Sequence, residues 1–194
     1  MELQIKISNS KIEIEAISIV EDLWLDYLFF KKQALIALEE NKSFLHKRYL
    51  RVTLLTLMSY FEAVVNNWCG NTLRENNKSY AQIQDFLRNK ALPDKCKFLI
   101  NETASNTSSP NKGAWQEAKK LRNELVHLKP GKDRLIFENL SIELLFQAEK
   151  EIIEWLDKVG KLLGQERHPD TTKIVDALSA RYNNTSFEDD FADF

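Results

Sequence analysis

Residues 44–73 read FLHKRYLRVTLLTLMSYFEAVVNNWCGNTL, a stretch with no proline and a single glycine. Around its middle the apolar residues fall on every side of a helical wheel rather than on one stripe. A helix of that kind has no face to give to water, so it must be surrounded by other elements. The stretch is therefore read as the central helix of the fold, and the neighbours must supply its cover.

Those neighbours are helical too. From Ser18 to Glu40 the residues Val20, Leu23, Trp24, Tyr27, Leu28, Ala34, Leu35 and Leu38 recur at helical spacing. Asn41-Lys42-Ser43 interrupts the pattern, with Ser43 placed to cap the central helix. A short helix from Tyr80 to Asn89 and another after Pro93 follow. Residues 101–113, NETASNTSSPNKG, are small and polar without periodicity and read as a loop. Ala114 to His127 is read as a helix that Pro130-Gly131 brings to an end. Residues 139–164 form a long amphipathic helix with Ile142, Leu145, Phe146, Ile152, Ile153, Leu156, Val159 and Leu163 as its core stripe. A last short helix is expected from Thr172 to Tyr182.

The start of the chain is ambiguous. Leu3, Ile5, Ile7, Ile12 and Ile14 alternate with polar residues about Asn9-Ser10, as in a short β-hairpin. Ile12, Ala16, Ile19 and Leu23 fit a helical stripe equally. The expected architecture is an all-α helical bundle with long central helices, with a short N-terminal hairpin over residues 1–16 as one reading. Residues 1–184 form a single domain in this reading, followed by an acidic-aromatic tail over 185–194 that is too charged to fold by itself.

Composition agrees. A chain of 194 residues has only 5 glycines and 4 prolines, which favours long helices over a many-turned β fold. At this length one core should bury roughly 70% of the unfolded surface. There is no apolar run of membrane-spanning length and no secretory leader pattern at Met1. The two cysteines, Cys69 and Cys96, have no metal-ligand spacing and are read as reduced thiols. A cytoplasmic protein with no cofactor, no metal and no membrane partner is the expectation.

The net charge of −2 argues against a general nucleic-acid coat, but the charge is uneven. The last ten residues, TSFEDDFADF, carry −4, which leaves +2 on the rest. Residues 112–134 hold seven Lys/Arg against three Asp/Glu. Any polyanion site belongs there, with Lys119, Lys120, Lys129 and Lys132 as candidate contacts.

The same segment contains KKLRNELVHLKPGKDR, residues 119–134. Asn123 and His127, four apart, share a helical face, and Arg122 lies about 140° from His127. Arginine offers a planar fork to a phosphate, histidine titrates near neutral pH, and asparagine can hold a ligand oxygen. These parts suit metal-free cleavage of a phosphodiester. The plainer alternative pairs Arg122 with a carboxylate such as Glu117 and leaves His127 as a polar helix end.

RNELVH resembles the R-N-x-x-x-H form of the R-x(4–6)-H motif of the HEPN superfamily (higher eukaryotes and prokaryotes nucleotide-binding), and TLLTLMSYFEAVVNN resembles that family's early helix. The likeness spans about Ser43 to Gly164. It implies a four- or five-helix bundle acting as a homodimer whose two motifs share one cleft. It also implies a metal-independent endoribonuclease, often a toxin or defence effector with an antitoxin or other protein partner. In that picture His127 is general base or acid at the ribose 2′-OH, Arg122 binds the scissile phosphate, and Asn123 orients one or the other. The product would be a 2′,3′-cyclic phosphate, and DNA would be spared. Lys129 stands where some members carry a modifiable tyrosine, so that control is not implied. A non-catalytic module binding nucleic acid, nucleotide or a partner protein is the competing reading.

Other candidates have plain alternatives. Glu62 sits on the most apolar helix and either holds Arg122 in the active site, makes a structural ion pair, or is simply exposed. His46, Lys47, Arg48 and Arg51 form a basic turn that either follows RNA or is a solvated helix start. Trp24, Trp68, Trp115 and Trp155 read as packing residues. The tail, with Phe187, Phe191 and Phe194 among acids, either docks on a partner, covers the basic patch, or stays free.

Overall fold

The computed structural model describes residues 2–8, 11–17, 19–103, 113–127 and 139–165. The expected helix over Thr172 to Tyr182, the acidic tail, Pro130-Gly131, Lys129 and Lys132 lie outside the described residues. At the N-terminus β1 (Glu2–Ser8) pairs antiparallel with β2 (Lys11–Ile17), with Ile5 opposite Ile14. The hairpin reading of the alternation is the one the backbone follows.

Six helices carry the described core: α1 (Ile19–Glu39), α2 (Ser43–Glu75), α3 (Tyr80–Asn89), α4 (Leu92–Glu102), α5 (Ala114–Val126) and α6 (Ile142–Leu163). The fold is an all-α bundle with α2 at its centre, lying against each of the other five. The all-round apolar character of α2 is used in full. Tyr60 turns to α1, where its ring meets Trp24 at 4.8 Å. One residue on, and about 100° round the helix, Phe61 sits edge-on to Trp115 of α5 and Trp155 of α6, both at 5.7 Å. All four tryptophans are buried, as packing residues should be.

Several local expectations need correction. Ser43 is the first helical residue rather than the cap; Lys42 occupies the cap position and makes no side-chain cap bond. The turn before it is instead closed by backbone bonds, Asn41 N to Leu38 O and Lys42 N to Ala37 O, with Asn41 at φ 58°. Asn101 and Glu102 belong to α4 and not to the loop that follows. Leu38 and Phe146, placed on core stripes by periodicity, are exposed. Phe146 lies at the edge of its stripe, where its ring covers the Lys31 ammonium at 4.9 Å. That ammonium bonds both oxygens of Glu149 at 2.9 and 3.1 Å and joins α1 to α6.

Both cysteines are fully buried and unbridged, where α2 meets α4. Burial pushes the Cys69 and Cys96 thiols up to about 12, and the nearby Lys95 ammonium offsets only part of that. Native protein at pH 8 should therefore react with a thiol reagent on the order of a thousandfold more slowly than guanidine-unfolded chain, since the thiolate is the nucleophile. The sign for stability follows. A raised thiol pKa favours the neutral form in the fold, so its contribution is complete below about 9.0 and is lost as pH rises toward about 12. Comparable labelling rates in the folded and unfolded chain would refute this burial.

Candidate functional site

Asn123 lies in the last turn of α5, Arg122 immediately before it, and His127 is the residue that ends the helix. What holds α5 in position is not visible in its own first turn. Its N-cap, Gly113, has no side chain, and at φ 127° it adopts a backbone conformation that favours glycine. The cap comes from α6, where Glu151 Oε2 accepts the backbone N–H of Trp115 at 3.0 Å. Gln147 Nε2 donates to Glu151 Oε1 at 3.2 Å and steadies the carboxylate. An anion at the N-terminal end of α5 also opposes the helix dipole. Glu151→Ala is expected to cost about 1 kcal/mol, read as a lower denaturant midpoint at an unchanged slope. An unchanged midpoint would leave α5 without this cap.

At the other end of α5 the Arg122 guanidinium is held on two sides. Nη2 donates to Glu62 Oε2 on α2 at 2.6 Å, and Nη1 donates to Asn123 Oδ1 at 3.1 Å. The Glu62 and Arg122 side chains are 36% and 26% exposed, so the pair stands at the protein surface and contributes on the order of 1 kcal/mol at most. Its value is geometric. Two of the five guanidinium donors are fixed, and they orient the plane of the fork.

The proposed alternative partner, Glu117, is not used by Arg122. It forms an ion pair with Lys120 at 3.7 Å, three residues along α5. Asn123 turns to Arg122 rather than to the His127 ring, although the two positions share a face. The link between Asn123 and His127 is a backbone one, His127 N to Asn123 O at 2.9 Å. His127 itself is exposed. The structure thus brings Glu62, Arg122 and Asn123 together and leaves His127 at the open end of the same helix.

The candidate cation contacts divide. Lys120 is exposed and shares Glu117, whereas Lys119 turns back so that its ammonium stands 5.8 Å over the Trp115 ring. Of the basic turn before α2, His46 is tied down, its Nδ1 lying 2.8 Å from Ala34 O. One polar contact was not anticipated. Lys95, only 3% exposed, donates to Asn66 Oδ1 at 2.8 Å, one turn along α2 from Glu62. Lys95 lies inside an ordinary α4 pattern, and nothing in its spacing announces a buried cation.

Among the described residues no group of three or more His, Cys, Asp or Glu side chains is placed to hold a metal ion, and no helix is long and apolar enough to cross a membrane. Comparison with protein-family models, with curated proteins and with solved structures finds no match.

Proposed function

We propose that the chain is a metal-independent endoribonuclease of the HEPN type, acting in the cytoplasm as a toxin or phage-defence effector and leaving 2′,3′-cyclic phosphate ends. The observation that supports this most is the Glu62–Arg122–Asn123 set, joined across α2 and α5 with a solvent-open histidine at the end of the same helix. A guanidinium steadied from two sides is prepared to meet phosphate oxygens without having to be ordered at the moment of reaction.

In this reading His127 takes the proton from a ribose 2′-OH and the oxygen attacks the adjacent phosphorus. Arg122 stabilises the charge that grows on the non-bridging oxygens. The bond from phosphorus to the 5′-oxygen breaks, and that oxygen leaves with a proton supplied by a general acid. A homodimer would bring a second His127 to the same cleft for that step. Glu62 serves as a positioning residue, while Lys119, Lys120, Lys129 and Lys132 are offered to the RNA backbone. An acidic antitoxin would be a natural partner for the basic segment.

The test is incubation of end-labelled RNA and its all-deoxy copy with the full chain in EDTA. Cleavage of RNA alone, with cyclic-phosphate ends, is the expected result, and Arg122→Lys should slow it roughly 10²- to 10³-fold because lysine cannot reproduce the fork. The same geometry supports a second reading. Arg122 already has two protein partners, as a structural residue would, and then the module binds an anionic ligand or a protein without cleaving it. Intact RNA that is nevertheless retained by the wild type and released by Arg122→Lys would favour that reading.

A further inference from the structure

The turn between α1 and α2 gathers exposed apolar and basic side chains. Phe44 is 70% exposed, Leu38 47% and Leu45 38%. The Arg48 guanidinium stands 5.6 Å over the Phe44 ring, and neither Arg48 nor Lys47 has a carboxylate partner among the described residues. Glu40 is neutralised locally by Lys42 at 2.8 Å, and Glu39 lies at the end of α1. An aromatic and two leucines left in water beside uncommitted cations make a surface that suits a short segment carrying both phenyl rings and carboxylates.

The chain contains such a segment. Residues 187–194, FEDDFADF, hold three phenylalanines and four acids and no cation. We infer that this C-terminal segment docks on the α1–α2 turn of its own chain, its rings against Phe44, Leu45 and Leu38 and its carboxylates against Lys47 and Arg48. The basic face of α5 offers less for phenyl rings to cover. On α5, Val126 is the one large apolar side chain exposed.

The reach is sufficient. Lys31, about two turns before the end of α1, bonds Glu149 on α6, and Gln165 follows the far end of α6, so the gap is on the order of the 33 Å length of a 22-residue helix. Residues 165 to 187 can span at most about 70 Å. Tethering at that length gives an effective concentration near the millimolar range, enough for a weak contact to be populated.

The test uses the full chain with Ser186→Cys carrying a nitroxide, since Cys69 and Cys96 are buried and slow to react. In low salt the amide signals of Phe44, Lys47 and Arg48 should lose more than half their intensity, while those of Tyr80 and Lys120 should not. The loss should fade when salt is raised, as screening requires, and also with Lys47→Glu/Arg48→Glu or with Phe191→Ser/Phe194→Ser. Uniform broadening, strongest broadening on α5, or an effect that survives the charge reversal would overturn the inference. So would broadening of the turn in an isotope-labelled chain mixed with a separate spin-labelled copy, which would make a second molecule the host. A turn that shows no tail contact but shifts on adding phosphatidylserine vesicles would assign it to lipid instead.

Discussion

His127→Ala is expected to lower RNA cleavage about 10²- to 10⁴-fold, the range that loss of a general acid or base produces. The fold should hardly notice. His127 is exposed and terminates α5 through its backbone N–H, which bonds Asn123 O in the alanine variant as well. A surface change of this kind usually stays within about 0.5 kcal/mol. Activity and stability are thus separable at this position, so a loss of cleavage with an unchanged melting curve is informative. If the variant cleaves as fast as the wild type, the histidine has no part in the chemistry and the ribonuclease reading falls. A parallel Glu62→Gln variant should show a smaller loss, because an amide can still accept from Arg122 but no longer fixes it with a charge.

Phe61→Ala is expected to destabilise the chain by about 3–5 kcal/mol, a drop in melting temperature of roughly 10 °C or more for a protein of this size. Phe61 is fully buried and its ring is shared by Trp115 and Trp155, so one truncation loosens α2 from both α5 and α6. It also adjoins Glu62 in sequence. The cavity should therefore act on the site, because the 2.6 Å contact between Glu62 and Arg122 depends on the spacing of α2 and α5. Calorimetry of the variant checks the first effect. A variant as stable as the wild type would mean that the three rings do not form the keystone of the bundle.

The parts of the fold that were legible share a cause: their signal lies within one turn or one helix. Tyr80–Asn89 is bounded by a capping box, with Gln82 N donating to Ser79 Oγ and Gln82 Oε1 accepting from Ser79 N. Gly164 in the left-handed conformation ends α6, with Gln165 N bonded back to Gly160 O. Periodicity misplaced Leu38 and Phe146 because a stripe says which way a residue points, not whether a neighbour is there to cover it. Ser43 shows the same limit at a helix start, since backbone bonds from Asn41 and Lys42 close the turn and no side-chain cap is made.

The site divides along the same line. The candidate residues Arg122, Asn123 and His127 could be named from six consecutive positions, and Glu62 from a carboxylate standing on an apolar helix. Which partner Arg122 takes was decided elsewhere. Glu117 is near in sequence but about 140° away round α5, whereas Glu62, sixty positions distant, is brought within 2.6 Å by the packing of Phe61 on Trp115. The cap on α5 has the same origin, since Glu151 reaches Trp115 only because α6 lies beside it. By itself the sequence determined an all-α bundle built round α2, because hydrophobic periodicity and helix ends are local and additive. The tertiary structure alone decided which charges meet, because ion pairs and caps between helices depend on distances that no spacing along the chain encodes.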